Sequence, residues 1–327
     1  MNFRRLGHSD VEISRVGLGC MSFAGNYGAA DPAIAADTMR AALDAGINFF
    51  DTADVYGAGL SETLVGNALR SVRERVVIAT KGGATRNAEG LPDNNGSPRH
   101  LKAACDASLK RLGIDTIDLY YLHRVDPAVP IEESIGAMAE LVRAGKVRYI
   151  GLSEASPETI RRAHAMHPIS ALQTEYSLSC RFVERDILPL CSELGITFVA
   201  YGPLGRGLLS GTLSADTVLP SNDARAVIPR FSGDNLASNL VLTEQLQDMA
   251  NTLGITPSQL ALAWVVGQAG PLTAIPGTRD PARVRSNAAA ADIEMPSEMR
   301  DALNALFADE AVQGARHAAH MLARNNL

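Results

Sequence analysis

Eight short runs rich in β-branched and aromatic residues recur along the chain, separated by longer segments of helical period. They read RVGLGC, INFFDTA, RVVIATK, IDLYYLH, VRYIGLS, ISALQTE, ITFVAYG and PLTAIPG. The intervening segments carry helix start and stop signals. DPAIAADTMRAALDAG has Asp31 as N-cap, Pro32 in the first turn and Gly46 beyond the end, and SPRHLKAACDASLKRLG and VPIEESIGAMAELVRAGK repeat that grammar. Strand, helix, strand at intervals of roughly 25 to 40 residues implies parallel strands with right-handed crossovers.

Such an alternation can close into a barrel or spread as an open doubly wound sheet. An open dinucleotide-binding sheet carries GxGxxG at its first strand-to-helix turn, whereas VGLGCMSFAG offers GxGxxS. A closed (β/α)8 TIM barrel is therefore the expected α/β fold. The chain's 327 residues, 46% of them hydrophobic, are enough for a barrel-sized core. No composition break or low-complexity linker divides it, so residues 1–327 read as a single domain. An N-terminal β-hairpin over residues 3–5 and 11–13, turning at GHSD, precedes the barrel.

Two places depart from the regular unit. Residues 204–235, rich in Gly, Ser, Pro and Asp, form a long loop after the seventh strand without a convincing helix, and two helical patterns follow before the last strand. Loops of that length are functional lids or disordered segments. The tail after Ala311, with scattered His and Arg, either caps the barrel or frays.

Formal net charge is −6 and the Lys and Arg residues are scattered, so neither nucleic acid nor an anionic membrane is an expected partner. Cys20, Cys105, Cys180 and Cys191 show no CxxC pair and no His spacing that would build a metal site; they read as reduced, mostly buried thiols. The start MNFRRLGHSD has no following apolar run, and no segment reaches the roughly 18 apolar residues of a membrane span, so a cytoplasmic location is expected.

In a TIM barrel the active site lies at the C-terminal ends of the strands. The second strand, in FDTADVYG, ends in Asp51 and reaches Tyr56 in its loop; the third ends in Lys81 and the fourth in His123. Singly, Asp and Gly are ordinary turn residues, Lys81 could be a solvated strand end and His123 a satisfied buried imidazole. Four ionisable groups on successive strand ends converge on one mouth.

Asp51, Tyr56, Lys81 and His123 resemble the catalytic tetrad of the aldo-keto reductase superfamily, and FDTADVYG, ATKGG and YYLHRVD are close to that family's own segments. The resemblance runs from GLGCMSF through YGPLGRGLLSG to IPGTRDPARVRSN. GLSEAS and LQTEYSL make the chain most similar to bacterial and plant members. It implies reduction of an aldehyde or ketone. Since no side chain supplies hydride, a nicotinamide cofactor is required. Tyr56 would be the proton donor, with Lys81 stabilising the phenolate left behind and Asp51 keeping Lys81 charged. His123 would donate a hydrogen bond to the substrate oxygen.

The same resemblance assigns Ser153 and Gln173 to the carboxamide and Tyr201 to stacking on the nicotinamide. Gly202, Pro203, Leu204, Gly207 and Leu209 of GPLGRGLL would bring backbone amides to the pyrophosphate. Gly277, Thr278, Arg279, Arg283 and Asn287 match positions that grip the adenosine 2′-phosphate and adenine, which favours NADPH over NADH. Two positions depart from the family pattern: Glu154 replaces an amide with an acceptor-only group and is left out of the cofactor set, and Ser286 stands where many relatives have Glu.

Two other readings use the same residues. A regulatory, redox-sensing protein of the potassium-channel β-subunit type would keep the cofactor and turn over slowly, but no tetramerising extension is evident. A Schiff-base or phosphate-using barrel would make Lys81 a nucleophile and leave Tyr56 without a task. Substrate choice would lie in loops 21–28, 86–96 and 124–127 and in Phe231. The chain is expected to be a monomer or weak homo-oligomer. The 204–235 loop has too few apolar residues in register to pack alone, so bound cofactor is expected to order it.

Overall fold

The computed structural model of the chain describes residues 1–25, 31–87, 89–220, 223–318 and 325–326. A hairpin of β1 (Phe3–Arg5) and β2 (Glu12–Ser14) opens it, its second strand one residue later than the sequence suggests. The strands β3 (Leu18–Gly19), β4 (Phe49–Asp51) and β5 (Val77–Gly82) follow. A second hairpin, β6 (Ala84–Arg86) and β7 (Pro92–Asn94), stands where only a loop was expected. Then come β8 (Ile117–Leu122), β9 (Val147–Ser153), β10 (Ile169–Glu175), β11 (Thr197–Tyr201) and β12 (Leu272–Ala274).

Among the described residues, β3, β4, β5, β8, β9, β10, β11 and β12 pair in that order as one eight-stranded parallel sheet. Its two edges meet. Val16 bridges Ala274 and Gly19 bridges Gly277, and the Gly17 N–H donates to the Ala274 carbonyl at 2.8 Å. A Cβ on Gly19 would lie 2.8 Å from the Ile275 carbonyl oxygen, so only glycine lets the first and last strands approach this closely. The expected (β/α)8 barrel is therefore closed at this seam.

Helices α1 (Pro32–Asp44), α2 (Leu60–Leu69), α3 (Pro98–Leu112), α4 (Ile131–Arg143), α5 (Pro157–Met166), α6 (Val183–Glu193), α7 (Gly233–Thr252), α8 (Pro257–Val266), α9 (Pro281–Ala289) and α10 (Ser297–Leu306) surround the strands. Their starts are chemically marked. Asp31, Ser97, Ser156, Thr256 and Asp280 each accept a backbone N–H of the first turn, and a proline follows each cap. Each cap stabilises its helix by about 1 kcal/mol. None of the described helices is long and apolar enough to cross a membrane.

Period-two alternation sorts the strand side chains between two cores. Phe50, Ile78, Tyr120, Leu122, Ile150, Leu152, Leu172 and Phe198 face the helices. Phe49, Val77, Ala79, Leu119, Tyr121, Ala171, Val199 and Ile275 fill the barrel interior, joined from the hairpin side by Leu6 and Ile13. Gly151 leaves room for Tyr121 within that interior, since a Cβ there would meet the Tyr121 ring at 2.6 Å. Burying each such aliphatic or aromatic chain contributes roughly 1.5 to 3 kcal/mol.

Residues 204–235 differ from the unstructured loop expected of them. They form 3-10 turns at Gly205–Ser210, Ala224–Val227 and Pro229–Phe231 and enter α7, while Ser221 and Asn222 lie outside the described residues. Leu208, Ile228 and Phe231 pack with Leu236 and Leu240 of α7 into an apolar cluster of their own. Periodicity missed this because the cluster borrows two of its five buried members, Leu236 and Leu240, from the following helix. The tail returns to the barrel mouth: Arg316 and His317 are buried or nearly so, and Asn326 bridges Ala155.

Candidate active site

The interior parity continues to the ends of the strands and there changes from apolar to polar. Asp51 lies two residues beyond Phe49, Lys81 beyond Ala79 and His123 beyond Tyr121; Ser153, Gln173 and Tyr201 follow Gly151, Ala171 and Val199 in the same way. Strand geometry therefore aims all six into the same space. Tyr56 arrives from the loop after β4. Gly57, Ala58 and Gly59 are all left-handed there, a tight reversal in which Ala58 bears a cost of about 1 to 2 kcal/mol.

The sequence-predicted tetrad is brought together. The Lys81 ammonium, fully buried, donates to Asp51 and to the Thr52 carbonyl, the latter at 2.7 Å. It lies 5.2 Å from the centroid of the Tyr56 ring, close enough for its charge to act on the phenol. The other Asp51 oxygen accepts from Gln173 at 2.7 Å. His123 meets the Tyr56 ring edge-on, with centroids 5.9 Å apart and planes at 85°.

This environment sets the protonation states. Burial pushes the Tyr56 phenol above its ordinary value and the Asp51 charge adds to this, while Lys81 and Arg124 pull it back. Burial acts to discharge Lys81, but Asp51 and Tyr56 outweigh it and hold the ammonium above its usual pKa. At neutral pH the site thus contains a protonated phenol beside a charged amine.

The remaining expected positions are spread around this centre. The Ser153 hydroxyl accepts from Arg124 at 3.1 Å, so it is already oriented at the mouth. In the turn after β11, Gly205, Arg206 and Gly207 are successively left-handed, which places backbone N–H groups in a tight coil beside Gly202, Pro203 and Leu204. The Leu209 N–H donates to the Leu204 carbonyl and its side chain is core. After the neighbouring strand β12, Gly277 and Thr278 lead into α9, Asp280 caps it, Arg283 lies in its first turn at 3.7 Å from Asp280, and Asn287 is buried. Arg279 precedes the cap. Of the expected specificity loops, 26–28 and Ala88 lie outside the described residues.

Sequence reasoning missed four residues. Glu175 shares the interior parity of Gln173 and is fully buried; that parity was the available signal. Arg206 pairs with it at 2.7 Å, and Arg316 and His317 reach it from the tail at 3.0 and 3.4 Å. Arg316 also pairs with Glu154 at 2.7 Å, which explains the carboxylate standing at that position.

Residues 15–308 match the model of the aldo/keto reductase family. A probable aldo-keto reductase 1 of Glycine max is 49% identical over 280 residues, spanning 84% of this chain and 80% of that protein. A glycerol dehydrogenase structure from Gluconobacter oxydans superposes with a TM-score of 0.87 at 32% identity, over 96% of this chain and 97% of its own. A thermostable aldo-keto reductase solved with the inhibitor epalrestat gives 0.74 at 30% identity, over 94% and 100%.

Proposed function

Because the chain belongs to the aldo/keto reductase family, we propose that it reduces an aldehyde or ketone to the alcohol, with NADPH as cofactor and Tyr56 as proton donor. The observation that carries this reading is the Lys81 ammonium held between the Asp51 carboxylate and the Tyr56 phenol at the end of a parallel barrel.

The donor set fits a nicotinamide dinucleotide. Ser153 and Gln173 present hydroxyl and amide groups at the mouth, the left-handed turn at Gly205–Gly207 lets a ligand approach its backbone closely although the Gly205 and Gly207 N–H groups are bonded to Gly202 and Leu204 within the turn, and Arg279 and Arg283 flank the start of α9. These would hold the carboxamide, the pyrophosphate and the 2′-phosphate in turn. When bound, the nicotinamide supplies the hydride.

The chain's own residues manage the proton. Tyr56 gives its phenolic proton to the carbonyl oxygen as that oxygen gains negative charge. Lys81, kept charged by Asp51, stabilises the phenolate, and the Gln173 and Lys81 hydrogen bonds fix the Asp51 carboxylate. His123, across the Tyr56 ring, donates to the same substrate oxygen and confines it near the phenol.

A panel of aldehydes and ketones tests this through loss of NADPH absorbance. Tyr56→Phe should retain cofactor binding and lower the reduction rate at least about a hundredfold. A wild-type protein inert toward the whole panel, or a Tyr56→Phe variant of undiminished rate, would sink the assignment.

A further inference from the structure

Three adjacent strand ends share one buried charge network whose cations come from elsewhere in the chain. At the end of β9, Glu154 is fully buried in a left-handed conformation with φ of 52°. Its Oε1 accepts from the Tyr201 hydroxyl at the end of β11 at 2.9 Å and from the Glu175 N–H at the end of β10 at 3.1 Å. The Arg316 guanidinium spans both acids, reaching Glu154 at 2.7 Å and Glu175 at 3.0 Å. Arg206 takes the rest of Glu175 at 2.7 and 3.1 Å and also donates to the Arg316 carbonyl at 3.2 Å. The tail is therefore held by both its side chain and its backbone.

We propose that Arg316 is a positioning residue for Tyr201, acting through Glu154, so that the C-terminal segment is a working part of the cofactor site. This rests on the reading of Tyr201 as the ring that stacks on the nicotinamide. A carboxylate accepts a phenolic hydrogen bond strongly only while it is ionised. Glu154 is out of water, and among the described residues Arg316 is its sole ion-pair partner, since Arg206 serves Glu175. Burial opposes the charge on Glu154; the Arg316 hydrogen bond and charge contribute most to overcoming that opposition, with smaller help from the Arg124 charge and the Glu175 N–H. Without Arg316 the acid keeps only the Glu175 N–H and the more distant Arg124 charge to hold it ionised, and it becomes a weaker acceptor for the Tyr201 hydroxyl. The aromatic ring then keeps only the longer 3.4 Å contact of its hydroxyl with His317 and loses the shorter tether that fixes its tilt. An Asn, which the family commonly has at this position, needs no counter-charge; Glu154 does, and the tail supplies it.

A double-mutant cycle tests this by titration calorimetry with NADP+. Arg316→Met and Tyr201→Phe should each weaken binding about tenfold, and the double variant should bind no worse than the weaker single, because both break the same path. Arg316→Lys should recover part of the loss. Fold-losses that multiply in the double variant, or an Arg316→Met protein that binds as wild type, would overturn the proposal. If Arg316→Met does not fold, Glu154→Gln replaces it in the cycle with the same expected coupling to Tyr201→Phe. A wild-type protein that binds neither NADP+ nor NAD+ would overturn the underlying reading of the site, a result distinct from uncoupled variants of a binding protein.

Discussion

Asp54, in the turn between Asp51 and Tyr56, has one carboxylate oxygen enclosed without a hydrogen-bond partner among the described residues. Burial, and then the charge of Glu62, pushes its pKa up to about 7. Since the unfolded chain releases this proton at its ordinary value of 3.8, the folded state loses stability as pH rises from there through about 7, and the deficit is constant above. Asp54→Asn should be nearly neutral at pH 4 and stabilising by about 1 to 3 kcal/mol at pH 8, allowing for partial solvent screening. Denaturant titrations at the two pH values check this; equal effects at both would show that Asp54 ionises freely. Asp51, Lys81 and His123 were legible from the strand ends themselves, since a polar residue two beyond an interior Phe49, Ala79 or Tyr121 has only the mouth to face, whereas Ser153, Gln173 and Tyr201 were reached only through the family resemblance. Arg316 was not legible. Its acids lie more than a hundred positions away, at 162 and 141 residues, and an irregular tail has no period to betray its partner.

At the scale of elements, α9 and the tail make opposite use of charge. The start of α9 exposes Arg283 beside Asp280 and presents the positive end of the helix, a favourable place for a phosphate. Replacing Arg279 and Arg283 together with Ala should weaken NADPH by a few kcal/mol, at roughly 1.5 to 3 per charged hydrogen bond, and spare NADH. Equal losses for the two cofactors, measured by titration, would move the phosphate elsewhere. The tail instead buries its charge. Although burial opposes ionisation, paired arginines hold Glu154 and Glu175 below the ordinary glutamate range. Docking of the tail is therefore at full strength above an unfolded value of about 4.3 and is lost as pH falls toward the folded values. Hydrogen exchange at residues 312–317 should be protected at pH 6 and much less so at pH 3 relative to α8; protection unchanged at pH 3 would mean the ion pairs do not hold it. Helix starts and barrel strands were readable from caps and alternation, whereas the packing of 204–235 was not, because Leu208 and Phe231 find their partners only once α7 has formed.

For the whole molecule, closure rests on a narrow seam. Gly19→Val would push side-chain atoms against the Ile275 carbonyl, already 2.8 Å from a bare Cβ, and should cost about 2 to 4 kcal/mol. Thermal unfolding measures the loss; an unchanged midpoint would mean that the seam yields without strain. The eightfold order of the barrel was the most legible feature of all, since it needs only the alternation of strand and helix patterns. How its edges lock was hidden, because β3 has just two residues and its bonds to the last strand depend on three-dimensional closure. That seam also sets a schedule. The Thr273 hydroxyl donates to the Ser14 carbonyl, 259 positions earlier, so a chain emerging from the ribosome carries an unsealed sheet until Thr273 has been made. At about 5 to 20 residues per second, the exposed edges wait on the order of tens of seconds for their last partner, and aggregation hazard is concentrated in that interval.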